Sequence, residues 1–398
     1  MVDPCRCTRP LIAYKGRMDL DQSHPAIADL AARARRRVPA FVWEYLDSGT
    51  GIGATQARNR AALDAVLFDT AIMAGEFKSD LSTSLLGRDY PLPFGIAPVG
   101  MSGLIWQDAE RRLARLGRDT GIPYTLSTVA SQTPEFVGPH AGDQGWFQLY
   151  PPRDPEIRRD MLARIKAAGF HTLVLTADVP IASRRERQRK GGLTTPPRLT
   201  PRLMLQTAMH PAWALGMAKM GMPRLRFMES YSDIKGPLPS NQHIGYLLRT
   251  SPDWDYLKAL RDAWDGPLVV KGVLNGDDAA RLKDTGADGV WVSNHAGRQF
   301  DGSPGAIECL PGVRAAVGAD YPVIFDGGVA GGLDILRALA LGADFVMLGR
   351  AWHYGLAAFG EAGAAHVVHI LREDIKANMG QLGLSSLKGL TGRLRGAD

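Results

Sequence analysis

Eight short apolar runs, separated by segments of helical length, constrain the fold of this 398-residue chain most strongly. Apolar runs of this length that alternate with helical patterns indicate buried strands paired in parallel. Eight such units predict an α/β fold, a closed (β/α)₈ TIM barrel. An open doubly wound sheet is disfavoured because no Gly-x-Gly-x-x-Gly motif follows the first run. The runs comprise residues 94–98, 124–128, 146–150, 172–176, 268–271, 289–293, 323–326 and 345–349.

One region precedes the predicted units, and an insertion interrupts them. Residues 1–90 are expected to form an N-terminal helical extension packed on the barrel of residues 91–398, and residues 38–46 within it predict a helix that ends at Gly49. Near the other end, residues 333–341 have helical spacing and stop at Gly342, a C-cap signal. The barrel therefore continues almost to the end of the chain.

A long insertion, residues 184–257, separates the fourth and fifth runs. Its apolar part, residues 203–217, contains a tryptophan and is too short to span a bilayer. Apolar bulk with basic flanks suits a segment on an anionic membrane surface, and a lid over the active site is the alternative. The insertion's first part has one acid, Glu186, against Arg184, Arg185, Arg187, Arg189, Lys190, Arg198, Arg202, Lys219, Arg224 and Arg226.

Composition is that of an ordinary globular protein, at 45% hydrophobic and 22% charged residues. A net charge of +6 does not indicate a nucleic-acid partner. Three cysteines, Cys5, Cys7 and Cys309, form no disulfide framework, and no metal site is expected. The N-terminus lacks the apolar core of a signal peptide, so a cytoplasmic location is predicted.

The most informative motif is Ser-Asn-His-Ala-Gly-Arg at residues 293–298, directly after the sixth run. The C-terminal ends of strands are where TIM barrels carry their chemistry. His295 can accept a proton near neutral pH, and Arg298 can hold a carboxylate through two parallel hydrogen bonds. The pair suggests a substrate with an acid group and a removable proton. For an isolated pair, a surface histidine and a solvated arginine would be an equal alternative.

His295 and Arg298 are not an isolated pair, because further short motifs occur along the chain in a defined order and spacing. They are Phe-Gln-Leu-Tyr at 147–150, Thr-Ala-Asp at 176–178, Val-Lys-Gly at 270–272, Asp-Gly-Gly at 326–328 and Leu-Gly-Arg at 348–350. With the motif at 293–298, the set resembles the FMN-dependent L-2-hydroxy acid oxidoreductases, namely glycolate oxidases, lactate dehydrogenases and oxidases, and mandelate dehydrogenases. The resemblance extends from about Val38 to Leu390.

The resemblance implies FMN as the cofactor. The loops after the seventh and eighth runs would hold its phosphate, as in other barrels, because their glycines let backbone N–H groups approach. Lys271, in an apolar run, is costly to bury without a negative partner, which a reduced flavin would provide. The implied cofactor-binding residues are Pro98, Val99, Gly100, Ser127, Gln148, Thr176, Lys271, Ser293, Asp326, Gly327, Gly328, Gly349 and Arg350.

The same resemblance implies the substrate side. Tyr45 and Arg298 would bind the carboxylate, and Arg185 would assist in positioning it. Tyr150 would meet the 2-hydroxyl group. His295 would be the general base, oriented by Asp178; His295, Asp178, Tyr150 and Lys271 are thus the predicted catalytic residues. The sequence leaves open whether the reaction starts with removal of the Cα proton or with hydride transfer.

Three positions depart from the family pattern. Ala330 replaces a usual arginine near the flavin phosphate, so one anchor is missing. Gly100 stands where the oxidases usually have alanine, which favours a dehydrogenase that uses a quinone or protein acceptor over an enzyme that uses O₂. Val129 replaces a frequent bulky residue and leaves room for a side chain larger than that of glycolate.

The resulting hypothesis is an FMN-dependent L-2-hydroxy acid dehydrogenase, with lactate or mandelate as candidate substrates. An oxidase that makes hydrogen peroxide, and a phosphate-binding barrel without redox chemistry, are the alternatives. His-Pro-x-Trp at 210–213 resembles the membrane-associated lactate and mandelate dehydrogenases, which favours peripheral contact with the inner face of the cell membrane. By the same resemblance, a homo-oligomer, a tetramer, is expected.

Overall fold

The strands confirm the predicted barrel. The computed structural model describes residues 19–195, 200–232, 238–239 and 249–396. In chain order its strands are β1 (Thr83–Leu85), β2 (Arg88–Tyr90), β3 (Phe94–Ile96), β4 (Tyr124–Ser127), β5 (Gly145–Leu149), β6 (Thr172–Thr176), β7 (Thr194–Thr195), β8 (Leu238–Pro239), β9 (Leu268–Val273), β10 (Gly289–Val292), β11 (Val323–Phe325) and β12 (Phe345–Leu348). Eight of them pair in parallel and close in the order β3-β4-β5-β6-β9-β10-β11-β12, with β12 beside β3.

One strand is longer than predicted. Lys271 was expected to end the fifth run, but β9 continues to Val273. The register moves from Lys271 opposite Trp291 to Val273 opposite Val292, so Gly272 is an extra residue. The φ of Gly272 is +106°, a value that glycine adopts readily and other residues rarely do. A Cβ atom at this position would lie 2.4 Å from the Cβ of Asp178. The bulge therefore brings β9 close to the loop after β6.

The α-helices surround the barrel and cover its mouth. They are α1 (Leu20–Ser23), α2 (Ile27–Arg35), α3 (Ala40–Asp47), α4 (Ala54–Asp64), α5 (Ser102–Ile105), α6 (Ala109–Thr120), α7 (Pro134–Ala141), α8 (Pro155–Ala167), α9 (Glu186–Lys190), α10 (Pro201–Ala208), α11 (Pro211–Met220), α12 (Arg226–Glu229), α13 (Trp254–Ala263), α14 (Gly276–Asp284), α15 (Ala306–Val317), α16 (Gly332–Ala340), α17 (Arg350–Phe359) and α18 (Glu361–Leu382). Short 3₁₀ turns cover Gly142–Gln144, His295–Gly297 and Thr391–Arg393.

Helix α3 bears out the prediction for residues 38–46 with a later start. It begins at Ala40 because Val38 precedes Pro39, and a residue before proline avoids helical dihedral angles. Tyr45 consequently lies in the last turn of α3, as predicted.

A hairpin that the sequence patterns did not predict closes the bottom of the barrel. Strands β1 and β2 pair antiparallel, and Leu85 and Tyr90 pack in the barrel interior with Trp146, Trp291 and Phe345. Trp146 and Phe345 lie at the N-terminal ends of β5 and β12. The opposite end, where the predicted site residues follow the strands, is left for ligands.

The insertion packs on the barrel through one side and exposes apolar residues on the other. Leu203, Trp213 and Met217 are buried, and the indole Nε1 of Trp213 donates to the carbonyl oxygen of Leu104 at 2.9 Å. By contrast, four large apolar side chains of α10, α11 and the turn between them are 58% to 64% exposed. They are Met204, Leu205, Met209 and Leu215.

Several sequence-based expectations concern residues outside the described ranges, including Cys5, Cys7 and Arg198. Within the described ranges, no helix combines the length and apolar character needed to cross a membrane. Among the same residues, no cluster of histidine, cysteine and acidic side chains is arranged to hold a metal ion.

Candidate active site

The C-terminal ends of the barrel strands surround a cavity of about 290 Å³. Almost all of the predicted site residues line it. These are Tyr45, Pro98, Val99, Gly100, Ser127, Gln148, Tyr150, Thr176, Arg185, Lys271, His295, Arg298, Asp326, Gly327, Gly328, Gly349 and Arg350. Asp178 and Ser293, the two other predicted residues, lie behind this wall and contact His295 and Lys271.

His295 is held by Asp178, as predicted. Its Nδ1 atom lies 3.1 Å and 3.2 Å from the two carboxylate oxygens of Asp178, and its backbone N–H donates to the Ser293 hydroxyl at 3.0 Å. The backbone of His295 and Ala296 is left-handed, with φ of 55° and 52°. Such conformations cost about 1–3 kcal/mol each and persist where the surroundings enforce them. The loop is thus shaped to aim the imidazole into the cavity.

The charges of this pair suit a general base. Burial lowers the pKa of His295 below its ordinary value; the Asp178 carboxylate opposes this, and Lys271 and Arg185 lower the pKa further. For Asp178, burial alone would raise the pKa, but His295 and then Lys271 outweigh it and leave the pKa below the ordinary value. At neutral pH the imidazole is therefore uncharged and the carboxylate ionised, which is the state from which histidine can accept a proton.

Lys271 forms the centre of a second polar cluster. Only 5% exposed, it lies 2.7 Å from the Asp326 carboxylate and donates to the Ser293 hydroxyl at 2.5 Å. The same hydroxyl donates to Asp326 at 2.5 Å. The Lys271 side chain is thus paired with a carboxylate in a buried place, and it lines the cavity beside His295.

Gln148, on β5, has a side-chain donor that the described residues do not use. Ser127 donates to the Gln148 side-chain oxygen at 2.8 Å, which turns the amide nitrogen Nε2 of Gln148 away. Within the part of the chain that the structure describes, this buried Nε2 has no hydrogen-bond partner. An unsatisfied buried donor is costly, so a ligand acceptor is expected there. The acceptor edge of a flavin ring meets that requirement.

The loops after β11 and β12 form a backbone cradle. Gly327 and Gly328 have φ of 137° and 85°, and a Cβ atom at Gly349 would lie 3.3 Å from Val99. Gly349 also caps the N-terminus of the ten-residue helix α17, where backbone N–H groups favour an anion. Arg350, the first residue of α17, donates to the carbonyl oxygen of Asp47 at 3.3 Å. Together with the Gln148 donor and Lys271, the cradle fits FMN, with its phosphate at the helix end.

Arg298 joins the cavity to helix α3. Its Nη1 donates to the carbonyl oxygens of Leu46 (3.2 Å) and Ser48 (2.9 Å), and its Nη2 donates to that of Tyr45 (2.8 Å). These bonds fix the planar guanidinium, a group whose shape matches a carboxylate through two parallel hydrogen bonds. Arg298 thus both supports the end of α3 and has the geometry for a bidentate carboxylate contact.

Tyr45, Gly100 and Val129 form one corner of the cavity. The Tyr45 hydroxyl donates to the carbonyl oxygen of Gly100 at 2.7 Å. A Cβ atom at Gly100 would lie 2.7 Å from a methyl group of Val129 and 3.4 Å from the Tyr45 hydroxyl. An alanine at position 100 would therefore displace Val129, so the two departures identified from the sequence are sterically linked.

Arg185 is fixed at the rim of the cavity. Its φ is 42°, its Nη2 donates to the side-chain oxygen of Gln299 at 2.9 Å, and its Nε donates to Ser183 at 3.2 Å. Ser183 in turn donates to the carbonyl oxygen of Arg298 at 2.7 Å. The loop after β6 is thereby tied to the loop after β10, and two arginines are brought to the same side of the site.

Two contributions to the site were not predicted from the sequence. Arg249, near the end of the insertion, is buried and lines the cavity, with its guanidinium carbon 5.5 Å from the centre of the Tyr150 ring. Asn59 of α4 and Asn294 exchange side-chain hydrogen bonds of 2.9 Å and 2.7 Å, which anchor the His295 loop. A lone arginine in a long loop has no local signature, and the Asn59–Asn294 contact spans 235 residues.

The barrel, with His295, Arg298 and Lys271 around one cavity at its mouth, indicates a flavin-dependent oxidoreductase. A family model described as FMN-dependent dehydrogenase matches residues 34–395. The chain belongs to that family, and FMN is its cofactor.

Individual relatives agree with the family match. An L-lactate dehydrogenase of Caulobacter vibrioides is 39% identical over 370 residues, which cover 91% of this chain and 95% of that protein. An L-lactate dehydrogenase of Pseudomonas aeruginosa is 37% identical over 366 residues, with coverage of 91% and 95%. The crystal structure of the monotopic membrane protein (S)-mandelate dehydrogenase has a TM-score of 0.85 at 33% identity and covers 93% of this chain and 98% of that one. A mandelate oxidase variant with (S)-mandelic acid has a TM-score of 0.77 at 31% identity, with coverage of 93% and 97%.

The missing arginine at position 330 leads to a prediction. Ala330 is exposed on the cavity wall, and its N–H donates to Asp334 at 2.9 Å. Ala330→Arg should tighten FMN binding about ten- to hundredfold, since a hydrogen bond to a charged group contributes roughly 1.5–3 kcal/mol. Quenching of flavin fluorescence on titration of the apoprotein gives the dissociation constants. Ala330→Met is the uncharged control, and equal affinities of all three proteins would show that the cradle already binds the phosphate fully.

Proposed function

We propose that this enzyme oxidises an L-2-hydroxy acid to the corresponding 2-keto acid and passes the electrons to a quinone or another acceptor. The observation that supports this most directly is the His295–Asp178 pair beside Arg298, in a cavity that also contains Lys271. A base next to a carboxylate clamp suits an acid whose neighbouring carbon carries a hydroxyl group. The lactate and mandelate dehydrogenases among the relatives support the same substrate class.

The substrate carboxylate would accept hydrogen bonds from the Arg298 guanidinium, with Arg185 and the Tyr45 hydroxyl nearby. Tyr150 would meet the 2-hydroxyl group. His295 would accept one proton through Nε2, because Nδ1 faces Asp178, and Asp178 would stabilise the imidazolium that forms. Oxidation to the keto acid removes two electrons and two protons from the substrate: His295 would take one proton, and the two electrons with the other proton would pass to bound FMN.

The cofactor would be held by the residues already grouped around the cavity. The Gly327–Gly328 turn and Gly349 would bind the phosphate through backbone N–H groups, with Arg350 at the same helix end. Gln148 Nε2 would donate to the ring edge, and Lys271 would place positive charge beside the ring and so favour negative charge on it.

Reduction of the bound flavin tests the proposed reaction. The holoenzyme is mixed anaerobically with a panel of L-2-hydroxy acids, lactate and mandelate included, and bleaching of the visible flavin band is followed. Bleaching by members of this class and not by their D-enantiomers is expected. If no 2-hydroxy acid bleaches the flavin, the proposal is wrong. Mixing the reduced enzyme with air then separates a dehydrogenase, which reoxidises slowly, from an oxidase, which reoxidises fast.

The insertion would place the enzyme on a membrane surface. Met204, Leu205, Met209 and Leu215 are exposed together on α10, α11 and the turn between them, and Arg202, Lys219, Arg224 and Arg226 are exposed on the same segment. Apolar side chains surrounded by cations suit an anionic bilayer surface. Because Leu203, Trp213 and Met217 pack on the barrel, the segment would lie against the bilayer with one side and the barrel with the other.

A tetramer, proposed on the family resemblance, is testable by light scattering.

Sedimentation with anionic liposomes tests the membrane contact. The wild-type protein should sediment with them at low salt and be released at high salt, because screening weakens the attraction. Replacement of Leu205 and Leu215 by glutamine should abolish sedimentation and leave turnover with a soluble dye intact. The matched control replaces Ile72 and Met73, which are 85% and 98% exposed elsewhere, by glutamine and should still sediment. A wild-type protein that stays in the supernatant at low salt would show that the insertion serves as a lid.

A further inference from the structure

The charged side chains that line the described part of the cavity are mostly cations. Among its described lining residues, one is acidic, Asp326, and it is paired with Lys271 at 2.7 Å. The cationic lining residues are Arg184, Arg185, Arg249, Lys271, Arg298 and Arg350.

Most of these cations have a place in the proposed reaction or at the surface. Arg298 and Arg185 lie together at the predicted carboxylate site, and Arg350 lies at the phosphate cradle. Arg184 is 75% exposed and lies 3.5 Å from Glu186. Arg249 is different, because it is 6% exposed and reaches the cavity from the far end of the insertion.

Arg249 is fixed on the loop that carries Tyr150. Its backbone forms an antiparallel bridge with Pro152, and the N–H of Thr250 donates to the carbonyl oxygen of Pro151 at 2.8 Å. Its guanidinium carbon lies 5.5 Å from the centre of the Tyr150 ring. The guanidinium therefore lies beside the residue predicted to meet the substrate hydroxyl, and its position depends on backbone contacts rather than on a flexible side chain alone.

The barrel order separates Arg249 from the carboxylate clamp. Tyr150 follows β5, Arg298 follows β10, and β6 and β9 lie between these strands. Positive charge thus reaches the substrate region from two arcs of the barrel mouth. A substrate with acid groups at both ends would meet both arcs, whereas lactate would meet one.

We propose that Arg249 binds a second anionic group of the substrate, so that the enzyme prefers 2-hydroxydicarboxylates to monocarboxylates of the same length. This inference rests on the proposed oxidation of 2-hydroxy acids and specifies which of them are used best. The terminal carboxylate would accept charge-assisted hydrogen bonds from the Arg249 guanidinium while Arg298 holds the carboxylate next to the reacting carbon.

Matched substrate pairs test this assignment. With the holoenzyme and a soluble dye as acceptor, L-malate is compared with L-2-hydroxybutyrate, and L-2-hydroxyglutarate with L-2-hydroxyvalerate. Each dicarboxylate should have the higher kcat/KM. Arg249→Gln should lower kcat/KM about ten- to hundredfold more for the dicarboxylates than for the monocarboxylates. The control is Arg153→Gln, which removes an exposed cation from the same loop and should preserve the preference.

Binding provides a second readout that does not require turnover. The dissociation constants of 2-ketoglutarate and 2-ketovalerate, measured by perturbation of the oxidised flavin spectrum, should differ in the wild type and converge in Arg249→Gln. Equal losses for both classes would mean that Arg249 assists the first carboxylate, which overturns the inference. If the variant does not fold, the wild-type enzyme still tests the inference, because a wild-type preference for monocarboxylates is enough to overturn it. If no 2-hydroxy acid of either class reduces the wild-type flavin, the proposed function itself has failed.

Discussion

His295→Gln is expected to retain FMN and to lose at least about 10²–10⁴-fold in the rate of flavin reduction, the usual contribution of a positioned general base. Glutamine can keep a hydrogen bond to Asp178 and approximate the shape of the imidazole, but it cannot accept a proton at neutral pH. Anaerobic stopped-flow mixing with the preferred 2-hydroxy acid measures the rate. His140→Gln, which changes a histidine of α7 on the outside of the barrel, is the control. Flavin reduction at the wild-type rate in the His295 variant would refute the assignment of the base.

The pH dependence gives an independent test of the same assignment. Burial lowers the pKa of His295 below its ordinary value, so the active, uncharged form predominates above that lowered pKa. As the pH falls through it, His295 becomes protonated and kcat/KM should decrease, with a midpoint below the ordinary histidine value of about 6.5. In Asp178→Asn, the midpoint should move to lower pH, because the carboxylate that favours the charged imidazole is gone. A midpoint that is unmoved by this substitution would assign the titration to another group.

Arg298→Lys is expected to lower kcat/KM by about 10²-fold or more, with a large increase in KM and a decrease in kcat. The lysine ammonium cannot form the parallel pair of donors that a carboxylate accepts. It also cannot replace the three bonds to the carbonyl oxygens of Tyr45, Leu46 and Ser48. The end of α3, and with it the Tyr45 hydroxyl, should therefore be less well fixed.

Two comparisons make this prediction specific. Arg298→Met, which lacks any hydrogen-bond donor at this position, should be at least as impaired as the lysine variant. Both variants should keep FMN, because Arg298 is not among the residues proposed to hold it. Arg224→Lys, an exposed arginine paired with Glu229 at 2.9 Å, should be kinetically normal. Steady-state kinetics with a soluble dye measures all of these variants. Near-normal constants for Arg298→Lys would mean that Arg298 is not a bidentate clamp.

The chain's local patterns were sufficient to predict the barrel and most of its mouth. Each barrel strand is buried on both faces, so its residues form a continuous apolar run that is visible without any knowledge of partners. Residues such as His295 and Asp326 follow these runs directly, and closure of a parallel barrel brings all such positions to one end. The family motifs at those positions then added roles that spacing alone could not provide.

Tertiary structure decided the contacts between segments distant in the chain. The register of β9 depends on the bulge at Gly272, and the β1–β2 hairpin fills the barrel's other end, although neither has a periodic signal. The attachment of Arg298 to α3 spans about 250 residues, and Arg249 reaches Tyr150 only because residues 151 and 250 pair across the insertion. Such contacts depend on which surfaces meet after the barrel closes. The sequence by itself determined the class of fold and the chemical groups of the site, whereas packing between distant elements decided their orientation and placed Arg249 in the cavity.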